Sequence, residues 1–490
     1  MESLLTLNEL VAAVKGINIS SKNTCCFTNV ATDSRNVSEN TMFIPLVGEF
    51  QDGHKYISQA IEKGASVILI NEKNFCENKI EYEKLCQENS SLVMICVKNT
   101  MTGLQDAAEA YVAKFPSLLK ICITGSCGKT TTKELMVAVF KAKYGEKVVY
   151  TQGNFNSETG LPLSVFNIRS NHTVGIFEMG MNRENEIGEI SKVLKAKYGL
   201  ITNIGTAHIG ILGSRENIAK EKRKAFDYIP ADGAAFVPAE DDFADYCTEK
   251  VAGKVVKFGK TVSESESGVK FICDNGLKGL SFTVDGTLVN MPLSGIHNFI
   301  NVSGVIACAK ECGIETEYIK KGIESLESLN GRMEVSESVL ANGKNVTLIK
   351  DCYNANPDSM EKVIDFCDSL TDCGKKIFVL GDMKELGEKA VSAHEQIGRK
   401  LLDSKASYVF LVGSDMKNAF EVITRSTKFT EKNSSFFKLV WKDSNSSKEF
   451  EEIAEELLSV TDENDVIVFK GSHSMSLDKI IPLIEKKAGE

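Results

Sequence analysis

The stretch KICITGSCGKTTTK, residues 120–133, constrains this chain more than any other. Ile121, Cys122 and Ile123 form an apolar run of the kind that makes a buried strand. The run breaks at Gly125-Ser126-Cys127-Gly128, and Lys129-Thr130-Thr131-Thr132 then opens a helical pattern. Strand, glycine-bearing turn and helix in that order are what a phosphate-binding loop requires. Glycine lets the backbone curl until successive N–H groups point inward, and the helix adds the positive end of its dipole. Lys129 can then reach the outer phosphates, and Thr130 can hold Mg²⁺. The usual first glycine of such a loop is Ile123 here. The shortened pattern GxxGK[ST] would still arise by chance only roughly 0.02 times in a chain this long. A nucleoside triphosphate is therefore the expected ligand, cradled by Gly125, Ser126, Cys127, Gly128, Lys129, Thr130 and Thr131.

A length of 490 residues suggests three domains, at about 150 residues each. The net charge of −10 argues against nucleic acid as a partner, because no basic stripe is present to displace counterions. The 14 cysteines include no C-x-x-C pair, and Cys96, Cys122 and Cys308 sit in apolar runs, so reduced thiols in a cytoplasmic protein are expected. Cys127 reads as a small filler in the loop. No run of 18 apolar residues appears, which argues against a membrane-spanning helix. The acidic, amphipathic opening MESLLTLNELVAAVKG reads as a folded helix rather than a signal peptide.

The pattern along the chain predicts an α/β protein with three units. Residues 1–95 mix short strands with turn signals, and GASVILI (64–70) is the clearest strand. Residues 96–328 alternate strand and helix, the signature of a mostly parallel sheet, with a hairpin expected in 255–293 around Asp285-Gly286. Residues 329–490 resume the alternation with VTLIK, KIFVLG, YVFLVG and DVIVFKG, as in a second, Rossmann-like sheet.

Ligands of open α/β sheets bind beyond the carboxyl ends of the strands. Glu178 ends the strand-like VGIFEMG and His208 follows YGLITNIGTA, so both are expected in the crevice of the phosphate loop. A carboxylate beside Thr130 is a natural Mg²⁺ ligand. A helical segment at 216–226 carries Lys220, Lys222, Arg223 and Lys224, among which the residues alone do not choose. Asn298 and Asn301 share a face at a helix start and could read a purine edge, or Asn298 could cap that helix. Arg332 and Asp351 open the third unit, placed to meet phosphate and ribose hydroxyls.

Taken together, TGSCGKTTTK, EMG at 178–180, TNIGTAH at 202–208, GIHNFIN at 295–301, GRME at 331–334 and DCYNANPDSM at 351–360 resemble the Mur ligases. The resemblance covers essentially the whole chain. It implies a small N-terminal domain that binds a UDP-sugar peptide, a central ATP-binding domain and a C-terminal Rossmann-like domain. YNANPDSM, VLGDMKELGE (379–388) and the N-terminal DSR and MFIPLVGEFQDGHKY are most similar to the branch that joins D-alanyl-D-alanine to UDP-N-acetylmuramoyl-tripeptide. No D-N-P-R motif of the diamino-acid-adding branch is present.

For the catalytic residues the resemblance implies Lys129 and Thr130 on the triphosphate and a first Mg²⁺, with Glu178 completing that ion's shell. His208 would bind a second Mg²⁺ together with Lys222 as its carbamate. Asn298 would contact adenine, Arg332 the phosphates and Asp351 the ribose. Ser34 and Arg35 would hold the UDP end, and Thr151, Asn154 and Asn156 the sugar nucleotide. The implied reaction activates the peptide carboxylate as an acyl phosphate, which the incoming amine then attacks. A monomer is expected. Departures from the family pattern are Asn185, Ala196, and His473-Ser474 in place of Arg-Gly. The alternatives are a diamino-acid-adding or folylpolyglutamate-like ligase and a P-loop kinase or NTPase.

Overall fold

The computed structural model describes residues 3–327, 331–433 and 437–486. The expected division between residues 328 and 329 lies outside them. Three α/β units follow one another, each built on its own sheet. In the first, the strands Asn29–Ala31, Thr41–Phe43, Ala65–Asn71 and Val93–Val97 pair in parallel, and Ile17–Asn18 closes one edge antiparallel. The strand Val93–Val97 crosses the division expected at 95/96, because its register with Ala65–Asn71 runs unbroken to Val97.

The central sheet has six parallel strands. Leu119–Thr124 lies in the middle, flanked by Val174–Glu178 on one side and Tyr198–Ile201 on the other. Its alternate side chains explain why it reads as an unbroken apolar run. Ile121 and Ile123 join the core beneath the helices Lys129–Tyr144 and His297–Glu311, while Cys122 joins the opposite core with Phe177 and Leu104. A strand covered on both faces has no polar side to show. Chain order reverses around this strand, so the loops after three neighbouring strands converge at one carboxyl end.

Lys254–Phe258, within the segment where a hairpin was expected, instead forms the edge of the parallel sheet. The antiparallel element comprises Val269–Asp274, Leu280–Val284 and Thr287–Met291, and its last turn places Asp285 and Gly286 at φ 46° and 77°, as a tight hairpin turn demands.

The C-terminal sheet has six strands, five parallel and one, Glu334–Val339, antiparallel at the edge. Its helix Pro357–Ser369 opens with a proline and is capped by Asn356, whose Oδ1 accepts from the Ser359 N–H at 2.9 Å. That cap fixes the sharp entry of the NANPDS segment beside the central domain. Among the described residues no helix is long and apolar enough to cross a membrane.

Within the central domain the helix Thr316–Glu324 lies closely on Lys129–Tyr144. A Cβ at Gly322 would stand 2.4 Å from the Val139 Cα. Gly322→Ala is expected to push the two helices apart and cost about 1–3 kcal/mol, read as a lower melting temperature with the far-ultraviolet circular dichroism unchanged.

Candidate active site

The phosphate loop leaves the central strand with Gly125 at φ 149° and enters the helix with Gly128 at φ 82°. Both glycines are required sterically as well as conformationally. A Cβ on Gly125 would lie 1.9 Å from the Thr202 Oγ1, and one on Gly128 would lie 2.9 Å from the Asn301 Oδ1. The loop after Tyr198–Ile201 braces the turn. Asn203 accepts from the Cys127 N–H (3.1 Å) and donates to the Cys127 carbonyl (2.9 Å), which also accepts from the Thr202 hydroxyl (2.6 Å). The Ser126 N–H donates to the Asn203 carbonyl, and the Ser126 hydroxyl accepts from the Gly205 N–H. The Ser126 and Cys127 amides are thus committed to the brace, while both residues still line the cleft. The N–H groups that open the following helix are left for an anion.

Lys129 bends back over its own loop and donates to the Gly125 carbonyl at 2.7 Å. Thr130 donates to the Glu178 carboxylate at 2.9 Å, and Asn156 donates to its other oxygen at 2.7 Å. Strand pairing alone places Glu178 here, opposite Ile123 at the end of the neighbouring strand. Thr151 is fully buried, its hydroxyl taken by the Glu178 N–H and its carbonyl by Lys133. It therefore supports Glu178 from below and does not face the cleft, contrary to its expected substrate contact. Asn154 does face the cleft.

Burial dominates the electrostatics. Lys129, His208 and Lys222 all have their pKa pushed down by desolvation, and the two lysines lower that of His208 further. Lys222 falls well below the usual lysine range, with Lys129 the next cause after burial. Its side chain is 0% exposed, and its Nζ has no hydrogen-bond partner among the described residues. Lys220 is exposed, whereas Lys222 points inward, so the fold makes the choice the residues alone left open. The His208 Nδ1 is buried with the Glu385 Oε2 3.0 Å away, close enough for an ion pair but out of line for a hydrogen bond.

The C-terminal domain supplies the other wall of a cleft of about 570 Å³. Arg332 lies over the Tyr353 ring at 3.9 Å, a cation–π contact that holds the guanidinium at the rim. Asp351 receives the buried Lys470 ammonium at 2.6 Å. Asn298 and Asn301 line the central wall, linked by a 3.0 Å amide contact, and Asn298 also donates to the Ser294 carbonyl. Asn298 is thus inside the helix His297–Glu311 and is not its cap.

Ser34 and Arg35 lie apart on the first domain. Ser34 is buried against Gln59, and the mostly exposed Arg35 guanidinium pairs with Asp33, holding that carboxyl down to about 2. Sequence reasoning gave no role to Asn203, Tyr353, Glu385 or Lys470. Each sits in or beside a quoted motif, but its partner is remote in the chain, so no local spacing signals it.

Three family models match successive parts of the chain. The Mur ligase family catalytic domain model matches residues 27–112, the Mur ligase middle domain residues 123–309, and the Mur ligase, glutamate ligase domain residues 331–473. The UDP-N-acetylmuramoyl-tripeptide–D-alanyl-D-alanine ligase of Treponema pallidum is 36% identical over 99% of this chain and 100% of its own. The chain belongs to the Mur ligase family. The Bacillus subtilis ligase of the same name is 33% identical, with 92% of each chain covered. Crystal structure I of MurF from Acinetobacter baumannii superimposes on this Mur ligase with a TM-score of 0.82 at 26% identity, covering 97% and 98% of the two chains.

The brace makes a sharp prediction. Gly125→Ala would collide with Thr202 and strain a backbone that L-residues rarely adopt. The variant is expected to melt within a few degrees of the parent yet to lose the upward shift that ATP and Mg²⁺ give the wild type in a thermal melt.

Proposed function

We infer that this Mur ligase uses ATP to join D-alanyl-D-alanine to the peptide carboxylate of UDP-N-acetylmuramoyl-tripeptide, a step in peptidoglycan precursor synthesis. The observation that carries this reading is the end-to-end identity with ligases of that name, which spans all three domains and so includes the units that select the substrates. Chemistry agrees with it. A carboxylate is a poor electrophile, so its oxygen first attacks the γ-phosphorus of ATP, with release of ADP. The resulting acyl phosphate is attacked at carbon by the dipeptide amine, and the collapse of the tetrahedral intermediate expels phosphate. Such a route asks mainly for charge neutralisation and alignment.

The residues present supply both. The helix N–H groups and Lys129 take the phosphate charge, with Lys129 leaving the Gly125 carbonyl to do so. The donor set fits a hard divalent cation at Thr130 and Glu178 and a second at His208, since a carboxylate, a hydroxyl and an imidazole line one cleft at the carboxyl ends of three strands. Bound there, Mg²⁺ would supply Lewis-acid neutralisation of the transferring phosphoryl group. The orphaned, desolvated Lys222 fits a carbamate: a neutral amine forms an N–C bond with CO₂ and loses one proton, turning a cation into an oxygen-donor anion. Two lysines and an imidazole that disfavour one another's charge would gain from such an anion. Asn298 meets adenine, Arg332 the phosphates and Asp351 the ribose, all from within the shared cleft. Asn154 and Asn156 approach the sugar nucleotide, whose UDP end Ser34 and Arg35 hold.

The first domain ends, in this reading, after the strand Val93–Val97, and the junction at 328/329 links the other two. A monomer suffices, because one chain supplies both cleft walls. ATP and a nucleotide-linked sugar place the reaction in the cytoplasm.

Incubation with ATP, Mg²⁺, UDP-N-acetylmuramoyl-tripeptide and D-alanyl-D-alanine is expected to yield the pentapeptide nucleotide by mass spectrometry. Lys129→Ala should lower kcat by at least about 10²-fold. ATP hydrolysis with no new amide would overturn the assignment. Protein equilibrated with ¹³CO₂ is expected to show a carbamate carbon resonance that Lys222→Arg lacks, and a wild-type spectrum without it removes the carbamate.

A further inference from the structure

The C-terminal domain grips the loop that carries His208 at three points and the phosphate loop beside it at a fourth. The Asp358 Oδ2 accepts from the Thr206 N–H at 2.6 Å and from its hydroxyl at 2.7 Å. The Asn356 amide meets the Cys127 thiol at 3.3 Å. The backbones of Gly210 and Gly387 touch so closely that a Cβ on Gly210 would lie 2.5 Å from the Gly387 nitrogen. Between these contacts, Glu385 faces His208 at 3.0 Å. His208 and Glu385 both hold left-handed backbones, at φ 64° and 65°, unusual for residues other than glycine. Two adverse backbones meeting side chain to side chain across a domain seam indicate that the pairing itself is what the surroundings enforce.

We propose that Glu385 is a positioning residue delivered by the C-terminal domain: its carboxylate orients the His208 imidazole, so the second cation site is complete only when the two domains are closed. A carboxylate at Nδ1 holds the proton on that nitrogen, which leaves the Nε2 lone pair for a ligand. The Glu178 carboxylate, by contrast, accepts from Thr130 and Asn156 of the central domain. The proposal rests on the reading of His208 as a metal donor.

Manganese titrations followed by electron paramagnetic resonance, with a non-hydrolysable ATP analogue and the sugar-nucleotide substrate present, separate the two claims. The wild type is expected to bind two ions. Glu385→Ala should bind the first as the wild type does and the second about 10–100-fold more weakly. Its kcat should fall while the KM for ATP holds, and Glu385→Gln should recover part of the second-site affinity through its amide oxygen. Glu385 is half exposed, so these variants should fold, and Asp358→Asn tests the seam by a route that leaves Glu385 in place, again weakening the second ion alone. Wild-type affinity for both ions in Glu385→Ala, with one ion lost in His208→Ala, overturns the positioning role and leaves the ligase reading intact. Loss of the first ion in Glu385→Ala overturns it as well. Two tight ions in His208→Ala overturn the donor reading and the proposal together.

Discussion

Everything in the active site depends on the hydrogen bonds that tie the Gly125–Gly128 turn to Thr202 and Asn203. A phosphate loop is a curl of backbone with few side-chain contacts of its own, and its shape would otherwise have to be bought from the ligand. Here the neighbouring strand's loop supplies three hydrogen bonds to Cys127 alone. The same loop then runs on through Thr206 to His208. One segment therefore shapes the triphosphate cradle and carries the imidazole beside it. Parallel pairing of Leu119–Thr124 with both Val174–Glu178 and Tyr198–Ile201 makes this arrangement, by ending three strands at one level.

Dryness is the second determinant. Lys222 is enclosed with no hydrogen-bond partner among the described residues, and His208 and Lys129 are held by burial away from their ordinary proton affinities. A buried, unpaired amine is costly unless chemistry makes use of it. An acyl phosphate also demands exclusion of water, since hydrolysis competes with the amine. The C-terminal domain meets that demand and engages the His208 loop with Asp358 and Glu385. Closure and assembly of the site are then one event, which ties commitment of ATP to the presence of a closed cleft.

Much of this was legible along the chain. The phosphate loop, Glu178, His208, Arg332 and Asp351, expected near one crevice, do line one cleft, because each stands at a strand end or beside a glycine turn, where local pattern and chemistry coincide. Thr151 was expected at the substrate only through the family resemblance, and the chain alone could not show that the Glu178 amide and Lys133 consume its hydroxyl and carbonyl. Ser126 and Cys127 were expected in the cradle from loop position, and the chain alone could not show that Asn203 claims their amides while both line the cleft. Strands such as Val148–Tyr150 and Glu334–Val339 went unnoticed because short edge strands lack the long apolar run that marks a covered one.

The amino-acid order by itself determined the α/β class, the nucleotide-binding turn and the kinds of side chain available for phosphoryl chemistry, because strand burial, glycine conformation and donor type are local properties. Only the tertiary structure decided that Lys222 rather than Lys220 turns inward, that Asn203 braces the loop, and that Asp358 and Glu385 reach across from another domain. Those outcomes depend on which surfaces are buried against which, and burial is set by packing between segments far apart in the chain.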